Sequence, residues 1–175
     1  MGENNEPAST GQIAADRLRS IRTGQQMSLR QLAERVNALG YPLSLAMINR
    51  IELGLRRMDV DDLTALAAAL GVAPAALLMD LDVRSQSDIV SATGVQGDAE
   101  AMWDWLTGQK PPPGYDDDDE VFRHIRFGLP FWIRAGAAQM TWQDFLSAGV
   151  EPEERARWIA DRLGNDIAPG PEGAK

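Results

Sequence analysis

Residues 27–54, MSLRQLAERVNALGYPLSLAMINRIELG, decide the fold of the first part of this chain. Ser28 followed three residues later by Gln31 is a capping box, in which each residue satisfies an amide at the start of a helix. Leucine, alanine and valine then recur at spacings of three and four, the pattern of one buried helix face. Gly-Tyr-Pro at 40–42 interrupts this pattern, and Ser44 can cap a further helix. The segment therefore predicts two short helices joined by a turn.

The same periodicity continues on both sides of this segment. Apolar residues at helical spacing predict a helix from Ser9 to Gly24. Asp59 can cap a fourth helix that Gly71 ends, and residues 74–79 predict a short fifth, with a proline in its first turn. Five short helices within about seventy residues predict a compact all-α domain over residues 9–80.

Composition excludes several classes of protein. With 44% hydrophobic and 25% charged residues, the 175-residue chain has the composition of a water-soluble globular protein. No apolar run approaches the length that crosses a bilayer, and residues 1–8 are polar, so we expect a disordered leader and a cytoplasmic protein. The chain has no cysteine and a single histidine, His124. We therefore expect no metal, no cofactor and no enzymatic activity, since paired acid and base groups and a glycine-rich phosphate loop are also lacking.

Charge is distributed unequally along the chain, whose overall net charge is −9. Residues 9–58 contain eight arginines and three acidic residues, a net charge of +5. Residues 81–175 contain nine basic and seventeen acidic groups, a net charge of −8. This asymmetry favours a nucleic-acid partner for the first part over a solvated basic surface that binds nothing, and a different role for the second.

Residues 17–78 resemble the Cro/lambda-repressor family of helix-turn-helix domains, also called the xenobiotic response element family. The resemblance rests on four motifs, which together are specific: Leu18-Arg19-x-x-Arg22, Met27-Ser28-Leu29-Arg30-Gln31-Leu32-Ala33, Ile48-x-x-Ile51-Glu52-x-Gly54 and Leu63-x-x-Leu66-Ala67-x-Ala69-Leu70-Gly71-Val72. It implies a five-helix lambda-repressor-like domain whose third helix, at about 44–53, enters the major groove of DNA. It also implies a buried ion pair between Arg22 and Glu52. The sequence departs from the family in the turn before the third helix, where residues 37–43 make the turn longer than usual.

Two sets of side chains are the candidate DNA contacts. Matched to the family motif, the positions that touch base edges are Leu45, Ala46, Asn49 and Arg50. Arg50 is the strongest of them, because its planar guanidinium can bind O6 and N7 of guanine together. The candidate phosphate contacts, which position the domain without reading sequence, are Ser28, Leu29, Ser44, Arg56 and Arg57.

The second part of the chain predicts a smaller, mostly helical region. We expect a linker over 81–97, a helical tryptophan-rich region over 98–165 and a flexible tail over 166–175. Helices are predicted at about 98–107, 119–128, 141–147 and 152–163, with no regular structure in the proline- and aspartate-rich stretch 108–118. Its five tryptophans either pack in a core or dimer interface or line a pocket for a small-molecule effector. They are Trp103, Trp105, Trp132, Trp142 and Trp158.

Two polar features of this part have alternative interpretations. The aspartate run 116–119 is either a solvated linker with a helix cap or a site for a hard cation, although it lacks the spaced ligands of a calcium loop. His124, between Arg123 and Arg126, is a weak candidate for a pH-sensitive group.

The sequence therefore predicts a sequence-specific double-stranded DNA-binding transcription regulator, a repressor that acts as a homodimer. The alternative is an antitoxin-like interaction protein, which neutralises a protein partner through its C-terminal half and regulates its own operon. A small-molecule effector or a protein partner at the C-terminal region is compatible with the sequence, and a membrane partner is not expected.

Overall fold

The computed structural model of the chain describes residues 9–80, 82–115 and 117–164, with the backbone alone for 139–146 and 152. The described chain forms two compact units that divide between Thr107 and Gly108. The predicted leader and tail lie outside the described residues. No helix in the described residues is long and apolar enough to cross a bilayer.

The first unit begins with the five predicted helices. They are α1 (Thr10–Gly24), α2 (Leu29–Ala38), α3 (Leu45–Glu52), α4 (Val60–Leu70) and α5 (Ala75–Leu78). Ser28, Ser44 and Asp59 each accept a hydrogen bond from the amide three residues later, as the sequence predicts. Gly71 ends α4 with a φ of 72°, a conformation that glycine adopts without steric strain. The all-α class is confirmed for this domain.

One hydrophobic core joins the helices of this domain. Side chains from all five elements meet there and exclude solvent, among them Leu18, Leu32, Val36, Ile48, Ile51, Leu66 and Leu77. Burying one such side chain contributes about 1.5–3 kcal/mol before the conformational entropy of folding is subtracted. The shared core fixes α3 against α2 and leaves the opposite face of α3 toward solvent.

A β-hairpin follows where the sequence predicts a linker over 81–97. Strands β1 (Ile89–Ala92) and β2 (Val95–Asp98) pair antiparallel across the two-residue turn Thr93-Gly94. Gly94 has a φ of 81°, which such turns require. Strands of four residues give too short an alternation to be recognised, and they are stable only because other elements cover them.

The cover is supplied by helix α6 (Ala99–Leu106), which the sequence assigns to the C-terminal region. Met102 and Ala99 of α6 pack with Val90 and Ala92 of the hairpin in a small second core. The helix itself is predicted correctly, but it belongs to the first unit. The assignment of α6 to the C-terminal region is therefore corrected, because the hairpin of the first unit buries the apolar face of α6.

Polar contacts join this hairpin to the start of the chain. The amide of Thr93 donates to Oγ1 of Thr10 at 2.8 Å, and the amide of Thr10 donates to Oγ1 of Thr93 at 3.1 Å. The buried Arg17 donates to Asp82 at 3.2 Å and to the carbonyl oxygen of Ala76 at 3.5 Å. Helix α1 is therefore held by the turn of the hairpin and by residues that precede the hairpin.

The second unit contains α7 (Asp118–Gly128), α8 (Phe131–Ser147) and α9 (Pro152–Leu163). Ala138, Ile159 and Leu163 are buried together, with Phe122 against them. Helix α8 begins ten residues before the predicted start at 141, which corrects that prediction. Its apolar residues are spread around the helix, so it lacks the one-sided stripe by which helices are recognised. No regular element lies in the described residues of 107–117.

Candidate nucleic-acid interface

Helix α3 is buried on one face and exposed on the other. Ser44 caps it by accepting a hydrogen bond from the amide of Met47 at 3.2 Å. Ile48 and Ile51 point into the core. The side chains predicted to touch base edges lie outside this buried face. Leu45, Ala46 and Arg50 are exposed, and Asn49 is half-buried. An α-helix with its side chains is about 10–12 Å in diameter, which fits the major groove, about 12 Å wide.

The predicted phosphate contacts differ in what already occupies their polar groups. The Ser28 amide donates to Oε1 of Gln31 at 2.9 Å, so the closed capping box occupies that donor. Leu29 is half-buried, with its side chain against the core. Arg57 is exposed, and its guanidinium has no partner in the described part of the chain. Arg57 is therefore the best placed of the set to bind a phosphate.

The eight arginines of residues 9–58 fall into two groups. Five donate to groups of the same unit: Arg17, Arg22, Arg30, Arg35 and Arg56. Three are exposed with no side-chain partner among the described residues: Arg19, Arg50 and Arg57. Two of these three lie on α3 or just after it. The positive charge left for an external anion is therefore concentrated at this helix.

The ion pair between Arg22 and Glu52 is present, as the resemblance implies. Nε and Nη2 of Arg22 donate to the two carboxylate oxygens of Glu52 at 2.6 and 2.7 Å. Nη1 donates to the carbonyl oxygen of Met27 at 2.7 Å, and both charged residues are buried. Hydrogen bonding to Glu52 raises the pKa of Arg22, although burial opposes the shift. The pair fastens the end of α3 to α1.

A second buried charge, Asp62, was not identified from the sequence. This fully buried carboxylate accepts hydrogen bonds from Arg56 at 2.6 Å, Tyr41 at 3.0 Å and the amide of Asp59 at 3.2 Å. The bond to Asp62 raises the pKa of Arg56, and burial together with this carboxylate raises the pKa of Tyr41. The signal in the sequence is the three-residue spacing of Asp59 and Asp62, which forms a capping box. Arg56, a predicted phosphate contact, thus also has a structural partner.

The turn between α2 and α3 is six residues long and is held at two points. Nδ2 of Asn37 donates to the carbonyl oxygen of Ala33 at 2.6 Å and to that of Leu43 at 3.2 Å. Tyr41, at the middle of the turn, is bound to Asp62. The turn is long, as the sequence predicts, and these contacts fix the direction of α3.

Polar features of the second unit have structural partners. Asp117 caps α7 by accepting a hydrogen bond from the amide of Glu120 at 2.9 Å, while Asp116 lies outside the described residues. No cluster of three potential metal ligands is present in the described part of the chain. Nε2 of His124 lies 3.3 Å from the carbonyl oxygen of Gly108, and the ring is half-buried. The contact of Asp117 favours the helix-cap interpretation of the aspartate run.

The tryptophans have different environments. Trp103 and Trp105 are half-buried against the second core, and Trp103 also lines an open cavity of about 400 Å³ with a polar rim. Trp158 packs edge-on against Phe122, with ring centroids 4.9 Å apart. Trp132 is exposed, and the side chain of Trp142 lies outside the described part. Packing contacts are therefore present for three of the five tryptophans, Trp103, Trp105 and Trp158.

Comparison with known proteins agrees with this geometry. The family model described as "Helix-turn-helix" matches residues 18–77, from the buried Leu18 of α1 to the buried Leu77 of α5. No curated protein matches the chain, and no solved structure matches it. The matched segment contains the capped α2, the long turn and α3. Residues 18–77 therefore form a helix-turn-helix domain of Cro/lambda-repressor type, which supports a role in DNA-binding transcription regulation.

Proposed function

We propose that the chain is a sequence-specific transcription repressor that binds double-stranded DNA as a homodimer, with α3 in the major groove. The observation that carries the proposal is the distribution of free arginines. Buried or paired arginines hold the domain together, whereas Arg50 and Arg57 are exposed and unpaired within the described residues, on α3 or directly after it. Cationic side chains on a helix that fits the major groove can bind the phosphates and donate hydrogen bonds to base edges.

The base-reading role falls to Leu45, Ala46, Asn49 and Arg50. Arg50 reads guanine, since its guanidinium can donate to O6 and N7 together. Leu45 and Ala46 can contact only a thymine methyl group. The phosphate role falls to Ser28, Leu29, Ser44, Arg56 and Arg57, and Ser28 has to open its capping box to donate to a phosphate. Arg57 supplies most of the charge, because Arg56 is shared with Asp62.

A homodimer follows from the size of the domain. One small domain buries too little surface on DNA for tight operator binding, and two half-sites multiply the contact. Repression is the proposed outcome, since occupying a promoter is enough to block transcription. The second unit then holds the dimer together, responds to an effector, or both.

The test is selection of bound sequences from a random double-stranded library by the full chain, at near-physiological salt to limit non-specific attraction. We expect a palindrome with half-sites one helical turn apart, about 34–36 Å. Arg50→Ala should weaken binding to that site by about 1–3 kcal/mol and relax preference at one base pair. Arg57→Ala should weaken all sequences alike and lower the salt slope by about one unit.

Arg84→Ala is the matched control, because it removes an exposed arginine of the same unit outside the helix-turn-helix. It should leave the preference unchanged. Equal losses on every sequence from Arg50→Ala would show that Arg50 does not read a base. No enrichment, together with co-purification of a small toxic protein, would favour the antitoxin alternative.

A further inference from the structure

Residues 127–133, Phe-Gly-Leu-Pro-Phe-Trp-Ile, carry an apolar surface between α7 and α8. Four large side chains of this segment are exposed to solvent: Phe127 by 77%, Phe131 by 52%, Trp132 by 74% and Ile133 by 46%. We call these four side chains the aromatic patch. A soluble protein that exposes several large apolar groups within seven residues presents an interaction surface.

The two helix ends that carry the patch are adjacent, and its side chains surround the first turn of α8. Nη1 of Arg134 in α8 donates to the carbonyl oxygen of Arg126 in α7 at 3.1 Å. The core of this unit is built from other residues, Ala138, Ile159 and Leu163. The aromatic patch is therefore additional to the packing that folds the unit.

The area of the patch fits a second copy of this chain. An aromatic side chain has roughly 150–250 Å² to bury, so the three exposed rings offer roughly 300–500 Å² per copy. Two copies packed patch to patch would bury at most about 600–1,000 Å² from the rings alone. With Ile133 and a polar rim, the total reaches the roughly 1,200 Å² at which specific interfaces begin.

The charge of the patch also suits an identical partner. A two-fold interface places the same residues opposite one another, so charges near its centre would repel. Residues 127–133 contain no charged side chain. The flanking Arg126 and Arg134 lie 5.3 and 6.0 Å from the ring centroids of Phe127 and Phe131. Both donate to carbonyl oxygens in the last turn of a helix, where the helix dipole offsets positive charge.

We propose that the aromatic patch is the homodimer interface, with the same patch of a second copy as its occupant. The inference rests on the proposed function only in that a regulator of paired half-sites needs such an interface. Phe127 and Trp132 are its centre, because they are the most exposed of the four and large aromatic groups dominate interface energetics.

The test is sedimentation equilibrium of the full chain without DNA. The natural chain should be dimeric, and Trp132→Asp should raise the dimer dissociation constant by at least about 30-fold, the effect of a central interface residue. Trp132→Phe should keep the dimer, because an apolar ring remains. Ile89→Asp is the matched control, since Ile89 is a similarly exposed apolar residue of the first unit, and it should leave the dimer unchanged.

Far-UV circular dichroism of each variant separates loss of the dimer from loss of the fold. If Trp132→Asp unfolds, Phe127→Asp at the most exposed position serves as the second variant. A natural chain that stays monomeric at about 0.1 mM would overturn the proposal, as would a dimer that both charged variants leave intact. Flotation of a monomeric chain with vesicles of anionic phosphatidylglycerol would overturn it too, and would assign the patch to a lipid surface.

The outcomes distinguish this proposal from the proposed function. A dimer broken by Trp132→Asp, with no enriched DNA sequence, supports the interface and contradicts the regulator. An enriched site bound by a monomeric chain contradicts the interface and the homodimer, and supports sequence-specific DNA binding by α3.

Discussion

The two units of the molecule use arginine in different ways. In the first unit, guanidinium groups donate to carboxylates inside or beside the core, in the pairs Arg17–Asp82, Arg22–Glu52 and Arg56–Asp62. In the second unit, guanidinium groups lie over aromatic rings, in the pairs Arg126–Phe127, Arg134–Phe131 and Arg162–Trp158. The first arrangement requires fixed distances and directions, whereas the second tolerates sliding of the ring.

In the described residues, this difference agrees with the roles proposed for the two units, a fixed DNA-binding face in the first and an association surface in the second. Directional bonds at both ends of α3, to Arg22 at one end and through the turn to Asp62 at the other, hold this helix in one orientation. Reading base edges requires such an orientation. In the second unit, the stacked arginines lie against aromatic rings that remain exposed to solvent. Such a surface can associate with a second copy of the chain.

The largest loss of folding stability should come from breaking the Arg22–Glu52 ion pair. Arg22→Met leaves Glu52 buried without its cation, which should lower the free energy of unfolding by about 3–5 kcal/mol. Urea unfolding followed by far-UV circular dichroism measures it. The control Arg30→Met breaks an exposed pair with Glu34 and should change nothing measurable. A loss as small as that of the control would mean that the pair does not hold the domain.

A smaller effect is expected at Asp62. Asp62→Ala removes the acceptor of three hydrogen bonds and should lower the free energy of unfolding by about 1.5–3 kcal/mol. Asp61→Ala, at the exposed neighbouring position, should change it by less than about 0.5 kcal/mol. Chemical denaturation of both variants checks this, and equal effects would contradict the network.

The stacked arginines of the second unit should matter less. The guanidinium of Arg162 lies 4.6 Å from the ring centroid of Trp158 and 5.9 Å from that of Phe122. Arg162→Gln should lower the free energy of unfolding by about 0.5–1 kcal/mol. Arg157→Gln, on an exposed part of the same helix, serves as control. A loss comparable to that of Arg22→Met would remove the contrast between the two units.

The smallest predicted change in folding stability concerns Tyr41 and occurs only in alkaline solution. Burial and the Asp62 carboxylate raise the pKa of Tyr41 above its ordinary value of 10.0, so the neutral phenol is favoured in the folded chain. Its contribution is present below pH 10.0 and is lost as the pH rises through the raised pKa. Tyr41→Phe should flatten this alkaline decline in thermal stability, whereas Tyr115→Phe, at an exposed position, should not. Identical pH profiles for all three chains would contradict the assignment.

Local signals in the sequence were sufficient for the first domain. Ser28, Ser44 and Asp59 mark helix starts because their side-chain oxygens satisfy orphan amides whatever the surroundings. Of the candidate site, the exposed positions of Leu45, Ala46 and Arg50 follow from the same helical period. The occupied amide of Ser28 and the shared guanidinium of Arg56 were not predictable, because both depend on neighbours in space.

What the sequence by itself determined is therefore the set of helices in residues 9–80, the polarity of α3 and the family to which the domain belongs. Only the tertiary structure decided that residues 89–98 form a hairpin covered by α6, that Asp62 is a buried acceptor and that residues 127–133 are exposed. The physical reason is the separation in sequence over which each interaction acts. Caps and helical periodicity act over three or four residues, whereas burial depends on which distant residues come to lie alongside.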